Sequence, residues 1–554
     1  MLQHHAPPAG RMASLVFAAP ADRSRRVASL WVCLIFAAAI TWLAVQHVMW
    51  RDEVRALSFA LQGQSVREML HLLSDGHPAL WHLMLRGLHA LTGTVLVLPA
   101  LAWVVAMAAA LLLAWRSPFA WPIVALILLG RGALYDYSVV ARNYGISLLL
   151  MLAFAVLYSR FRQRGIVLGV VLALLANCNV HSTILVGGFL LFWLGDLHAE
   201  ASSRERPPAW GHFALNAAIA VVGIALCAAT VYPTANDAAE RAFPAGPVWV
   251  TALRALLLPD EAFRDLLRTG DVDALLTSHF PQAWPPMSIL LRVLATAFLV
   301  GSTLGLVVRP AAMVASWVTL IAFSLLSAFI YQGAYRHHAL WLVFLVSLYW
   351  IAAAGEPAVA VLPRWKRRLR ALGLVLFVAL LAMQAALGVG KVAPIALGTA
   401  SESRSRDLAR LLEADPRLRD AILVADPDYL VEPLPYYLPT RAYLMREGRF
   451  GQTVTFSRQA RQVLSLDEVL REARGLQQRD GRPVVILLAA RLDPAQPARA
   501  IAEGYSWTFT TTPGQVGAFL AATDRIASFG PVLCCTEESF DVYVLKKPDG
   551  SPGF

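Results

Sequence analysis

The chain has 554 residues, 57% of them hydrophobic and 15% charged, with a formal net charge of +11. Soluble globular proteins carry about a quarter charged residues, so this composition excludes an ordinary soluble enzyme, and its hydrophobicity excludes a disordered chain. The basic residues punctuate apolar runs and form no basic domain, so the excess is topological and gives no support to a nucleic-acid partner.

Taken in order, Arg11, Arg23, Arg25 and Arg26 precede a first apolar run over 27–50. No small-x-small cleavage site lies before Trp50, so an uncleaved span is expected. Further runs of roughly the ~20 residues a bilayer requires fall at 95–115, 118–134, 142–159, 165–180, 182–197, 212–232, 287–308, 310–331, 337–354 and 371–390. That makes about 11 spans. The stretch Pro78–Leu91 is too short to cross and carries His82, Arg86 and His89, so it reads as an amphipathic helix on the membrane surface. The stretch 233–286, with Pro259, Asp260 and Glu261, reads as short helices in a loop covering a cavity.

With the N-terminus in the cytoplasm, Arg116, Arg160, Arg162, Arg164, Arg204, Arg206, Arg309 and the Arg364–Arg370 cluster all fall inside, as the positive-inside rule requires. After Gly390 the character changes. Residues 391–554 are rich in Arg, Asp, Glu and Pro. Arg404–Leu412 and Leu466–Gln477 read as helices, and Ala421–Val424, Pro483–Ala489 and Val542–Leu545 as strands. The expected fold is an α-helical polytopic membrane protein, residues 1–390, with a small C-terminal α/β periplasmic domain, residues 391–554. Five cysteines are no disulfide framework in a chain this long. Cys33, Cys178 and Cys227 lie in apolar runs and read as core, while Cys534 and Cys535 are adjacent.

The informative residues are the polar ones at the outer ends of these spans. Asp52 and Glu53 follow the first. His77 opens the surface helix. Asp136 lies between Tyr135 and Tyr137, and Arg142, Asn143 and Tyr144 begin the next span. Asn177, Asn179 and His181 sit at another turn, and Tyr335, Arg336, His337 and His338 at a fourth. Singly, each has a structural reading: interfacial charge, snorkelling arginine, aromatic belt. Together they occupy one membrane face, where ionisable groups are costly and tend to be functional. A carboxylate there can serve as a base toward a hydroxyl, and arginines can clamp a phosphate. The combination points to group transfer from a lipid phosphate.

The same residues carry a resemblance. Arg51–Asp52–Glu53–Val54–Arg55–Ala56 followed by Asp75–Gly76–His77–Pro78–Ala79–Leu80–Trp81 resembles the first outer loop of the GT-C glycosyltransferases. More narrowly, it resembles the bacterial branch related to protein O-mannosyltransferases and lipid A aminoarabinose transferases. Ala141–Arg142–Asn143–Tyr144–Gly145 resembles their Ala-Arg-Pro-Tyr-Ala element, with Asn143 in place of proline, and Ala79 replaces a second proline after His77. Tyr335–Arg336–His337 resembles a late polar element.

The resemblance implies a polyprenyl-phosphate sugar donor and inverting transfer on the periplasmic side of a bacterial inner membrane, to a lipid, glycan or protein acceptor. Asp52 becomes the general base and Glu53 orients acceptor or sugar. Arg142, Arg336 and His337 hold the donor phosphate. His77, Asp136, Tyr144 and His181 bind substrate. No metal or other cofactor is required in this reading, although His77 and His181 with Glu53 form a candidate set for a divalent ion. Two other classes share some features. A flippase for a lipid-linked glycan calls for midplane charges, often with repeat symmetry. A polymerase or ligase using a pyrophosphate-linked glycan needs the arginines and histidines but not the Asp52–Glu53 and His77–Pro78 order.

Overall fold

A computed structural model of the chain describes residues 8–18, 23–73, 76–203, 209–231, 246–279, 284–354, 362–533 and 538–547. Arg204, Arg206, Asp75, Cys534 and Cys535 lie outside these residues, as do 233–245 and 280–283 of the expected covering loop.

Among the described residues, eight helices are long and apolar enough to cross a membrane: Ser24–Gln46, Val97–Arg116, Tyr144–Phe161, Val180–Ser202, Trp210–Val231, Met287–Val308, Pro310–Phe329 and Arg364–Ala396. They account for eight of the expected runs. The other three fall on Trp121–Leu129, Val167–Ala176 and Tyr335–Ala353. The first two are 9 and 10 residues long. At 1.5 Å per residue neither spans a ~30 Å core alone. Trp121–Leu129 stops because Gly130 leaves the helix, and the chain then makes a π-turn over Gly132–Asp136. Leu80–Thr92 is a 13-residue amphipathic helix that buries Trp81, His82 and Leu85. Its end is set by Gly93, whose φ of +68° suits the residue after a helix.

At one end of the bundle, Asp196 gathers Arg309 at 2.7 Å, Arg162 at 3.2 Å and the Tyr158 hydroxyl at 2.8 Å. Two of the arginines assigned to the inside are therefore tied to one carboxylate. At the other end, the last long helix continues to Ala396, beyond the boundary expected at 390, and Lys391 pairs with Glu402 at 2.5 Å.

The C-terminal domain follows. Its strands are β1 (Ile422–Asp426), β2 (Arg441–Leu444), β3 (Arg449–Phe450), β4 (Val463–Ser465), β5 (Val484–Leu488), β6 (Arg499–Ala502), β7 (Thr508–Thr511), β8 (Thr523–Phe529) and β9 (Phe540–Leu545). A six-stranded sheet runs β3-β2-β1-β5-β9-β8, and a three-stranded sheet runs β4-β7-β6. β1 is parallel to β2 and β5, while β9 is antiparallel to β5 and β8. Every residue of β1, β5 and β9 is buried. Such continuously buried strands need cover on both faces. Leu408, Ala409 and Leu412 of helix Ser405–Ala414 cover one face. Leu466, Val469 and Leu470 of helix Leu466–Asp480 cover the other, with Val516 and Phe519. Ser465 and Glu468 close a reciprocal cap on that helix, and Gly481 ends it.

The domain docks on helix Arg51–Leu61. Arg55 pairs with buried Glu432 and donates to the Val454 carbonyl at 2.7 Å. Gln62 donates to Thr453 at 2.7 Å, the Met49 N–H donates to the Tyr437 hydroxyl at 2.8 Å, and Ser405 donates to the Met49 carbonyl at 2.7 Å. The residues flanking Asp52 are thus held by both halves of the molecule.

Candidate active site at the junction of membrane bundle and domain

Asp52 lies in the first turn of helix Arg51–Leu61, where the N-terminal end of a helix favours a carboxylate. Its side chain keeps 19% exposure. Arg142 approaches Asp52 Oδ2 at 3.6 Å and Arg336 approaches the same oxygen at 3.5 Å. Arg142 also donates from Nη1 to the Asp52 carbonyl at 2.6 Å and from Nη2 to His77 Nε2 at 2.9 Å. A guanidinium only donates, so His77 accepts through Nε2 and is in the tautomer with its proton on Nδ1. Arg336 lies over the Trp50 ring, 5.3 Å from its centroid. Residues 52, 77, 142 and 336 therefore converge from four separated segments.

Glu53, next to Asp52 in sequence, points the other way. It is fully buried. His47 Nε2 lies 2.8 Å from Oε2, the Trp50 N–H donates to Oε2 at 3.1 Å, and the Ala141 N–H donates to Oε1 at 2.6 Å. Its carboxylate fastens the segment that carries Arg142 to the helix that carries Asp52, so it faces protein groups where substrate contact was expected.

The Arg142–Gly145 element is shaped by two contacts. Asn143 has φ −68°, a value proline also adopts, and its Nδ2 donates to the Cys178 carbonyl at 2.6 Å. A proline has no such donor, so the departure from the family pattern ties this element to the turn before His181. At Gly145 a Cβ would sit 2.5 Å from the Tyr137 carbonyl oxygen, which explains glycine at a position where the family pattern has alanine.

A second group adjoins. The Tyr144 hydroxyl lies 2.8 Å from His337 Nε2, and the Ala334 N–H donates to His337 Nδ1 at 2.8 Å. Nδ1 is therefore the acceptor and Nε2 carries the proton toward Tyr144. That leaves the Tyr144 hydroxyl hydrogen available to a further acceptor. The His181 ring lies against His337 with centroids 4.5 Å apart, and its buried Nε2 has no partner among the described residues. Tyr331 packs edge-on against His337 at 5.3 Å.

Asp136 belongs to a neighbouring cluster. Arg131 bonds it at 3.2 Å and stacks over Tyr335 at 4.0 Å, and Lys391 and Arg336 contribute further positive charge. Arg336 links this cluster to Asp52. The sequence reading missed Arg131, Lys391, His47 and Tyr331. Of these, Arg131 had a signal, a charge interrupting an apolar run; the others are placed only by the fold. Among the described residues no group of three or more His, Cys, Asp and Glu is arranged to hold a metal ion. Phe263, in the described part of the stretch 233–286, is fully buried against His338 and Trp341 at 5.4 and 5.6 Å.

No protein family matches the chain, and no curated protein matches it. Solved structures do. The chain is similar to ArnT from Cupriavidus metallidurans. The crystal structure of that protein in the apo state is 14% identical over 94% of this chain and 98% of its own, with a TM-score of 0.39. Its structure bound to undecaprenyl phosphate is 13% identical over 94% of this chain and 99% of its own, with a TM-score of 0.35.

Proposed function

We propose that the chain is an integral membrane glycosyltransferase that moves a sugar from a polyprenyl-phosphate donor to an acceptor hydroxyl. The observation that carries this reading is one carboxylate, Asp52, held between two guanidiniums, Arg142 and Arg336, at the outer end of a membrane bundle. A base and a phosphate clamp are then within a few ångströms of each other, at the depth where a lipid phosphate resides. The reaction is a single displacement. Asp52 takes the acceptor proton as the acceptor oxygen forms its bond to the anomeric carbon. The bond from that carbon to the phosphate oxygen breaks, and the polyprenyl phosphate leaves with its charge between Arg142 and Arg336. Attack opposite the leaving group inverts the anomeric centre. Tyr144, His77 and His181 contact the sugar and phosphate, and His337 orients Tyr144.

In this reading the guanidiniums supply the charge that a metal otherwise supplies, so we expect activity to survive chelation. The arginine distribution supports a site on the periplasmic side of a bacterial inner membrane. The acceptor is a lipid, glycan or protein. The test is sugar release from a panel of polyprenyl-phosphate sugars by the purified protein with a membrane acceptor extract. Asp52→Asn is expected to lower turnover by about 100-fold or more with folding unchanged. Full activity in that variant would remove Asp52 from the mechanism.

A further inference from the structure

Beside Asp52 the C-terminal domain presents four aromatic rings in layers. Tyr429 and Trp507 stack at 11° between planes, Phe456 tilts against Trp507, and Tyr505 lies on Phe456 with centroids 3.7 Å apart. Tyr429, Trp507 and Phe456 are buried. Tyr505, the outermost, is half-buried, and its hydroxyl makes no hydrogen bond to a described residue. The stack is fixed to the catalytic helix by Arg51 over Tyr429 at 4.5 Å and Arg55 over Phe456 at 5.0 Å. Arg51, which lies over Tyr429, is also 3.4 Å from Asp52 Oδ1, so the stack lies on the Asp52 side of the domain.

The backbone that delivers this ring breaks a local rule. Tyr505 and Ser506 have φ +62° and +63°, and Trp507 N–H donates back to the Gly504 carbonyl at 3.3 Å. Two positive-φ residues at the tip between β6 and β7 match a type I′ turn, whose usual residues are Asn-Gly. Phe456 beneath it also has positive φ, +48°. Three side-chain-bearing residues in the left-handed region are each strained. The base of the turn is anchored, since Glu503 is held by Arg446 at 2.9 Å and its N–H donates to the Trp507 carbonyl at 2.8 Å. Strain retained at an anchored tip next to a catalytic carboxylate is the pattern of a residue kept for binding.

We infer that Tyr505, backed by Phe456, is the stacking platform for a sugar ring of the acceptor, so that the acceptor is a glycan or glycolipid. The inference rests on the transfer reading above and deepens it. A pyranose lays its C–H face on an aromatic ring, and a phenol at the ring edge supplies a hydrogen bond. With its ring on Tyr505, the acceptor directs a hydroxyl toward Asp52. An unglycosylated peptide needs no such plate.

The test uses the full chain in detergent and saturation-transfer NMR, with methyl glucoside, methyl galactoside, methyl mannoside and a serine-containing peptide as probes. We expect the ring protons of at least one pyranoside to gain saturation and the peptide to gain none. Tyr505→Asn suits the turn and should melt no lower than wild type, yet weaken pyranoside binding tenfold or more. Tyr505→Phe should stay within threefold. No pyranoside signal, equal binding by Tyr505→Asn, or binding of the peptide alone overturns the platform. Pyranoside binding without sugar transfer from any donor instead keeps the platform and removes the transfer reading.

Discussion

At the scale of single residues, the site depends on what a guanidinium can do that an ammonium cannot. Arg142 sends Nη1 to the Asp52 carbonyl and Nη2 to His77, and the same Nη1 lies 3.6 Å from Asp52 Oδ2. A lysine at that position is a point charge on a flexible stem and cannot serve two fixed acceptors in one plane. If the proposed polyprenyl-phosphate donor is the substrate, Arg142→Lys is therefore expected to keep the net charge and still weaken its binding about tenfold, or ~1.4 kcal/mol. Titrating the lipid phosphate against the variant in detergent checks this. Unchanged affinity would mean that charge alone holds the phosphate and that the fork serves only the protein. The sequence made Asp52, His77, Arg142 and Arg336 legible because each is a polar residue in an otherwise apolar context. It gave no sign that Glu53 turns inward, because adjacent residues in a helix differ by about 100° in direction and only the positions of His47 and Ala141 decide which carboxylate meets Arg142 and Arg336.

At the scale of elements, long apolar periodicity made the helices readable and short elements were harder. Leu466–Gln477 was readable because a cap and a clear stripe mark it, and the helix runs Leu466–Asp480. Residues 118–134 read as one span, whereas the chain forms the helix Trp121–Leu129 and then a π-turn. The cause is tertiary. Helix Arg364–Ala396 crosses there, and a Cβ on Gly388 would sit 2.2 Å from the Leu129 carbonyl oxygen and 2.8 Å from the Arg131 nitrogen. The same crossing brings Gln384 to the Tyr335 hydroxyl at 2.8 Å, beneath the Arg131–Asp136 pair. Gly388→Val must push the two elements apart, and overpacking of this kind costs about 1–3 kcal/mol. Gly390, one half-turn on, meets nothing within 4 Å, so Gly390→Ala should be neutral or gain up to about 1 kcal/mol from helix propensity. Thermal unfolding of the two variants side by side separates close packing from helix content. Equal melting temperatures would show that the crossing tolerates a larger gap.

At the scale of the whole molecule, the question is how a water-facing domain is kept on a membrane bundle so that Asp52 has one fixed setting. Part of the answer is Glu538. The Arg51 N–H donates to its Oε1 at 3.2 Å and Ser403 donates to its Oε2, so this carboxyl bridges the domain, the linker and the first turn of helix Arg51–Leu61. Burial pushes the Glu538 carboxyl up to about 7 from the 4.5 it has in open chain, against the lowering effect of those donors. An acid whose folded value is raised binds a proton in the folded state that the unfolded state has already released. Its contribution therefore favours folding at pH below about 4.5 and is lost as pH rises toward 7, by up to about 3 kcal/mol. Glu538→Gln keeps an acceptor for Ser403 and is neutral at every pH. The difference in stability between Glu538→Gln and wild type should therefore be small near pH 4.5 and grow in favour of the variant by pH 8, read as melting temperatures across that range. A difference that does not change with pH would place the proton elsewhere. Docking would then rest on the Arg55–Glu432 pair and on the contacts of Tyr437 and Ser405 with Met49.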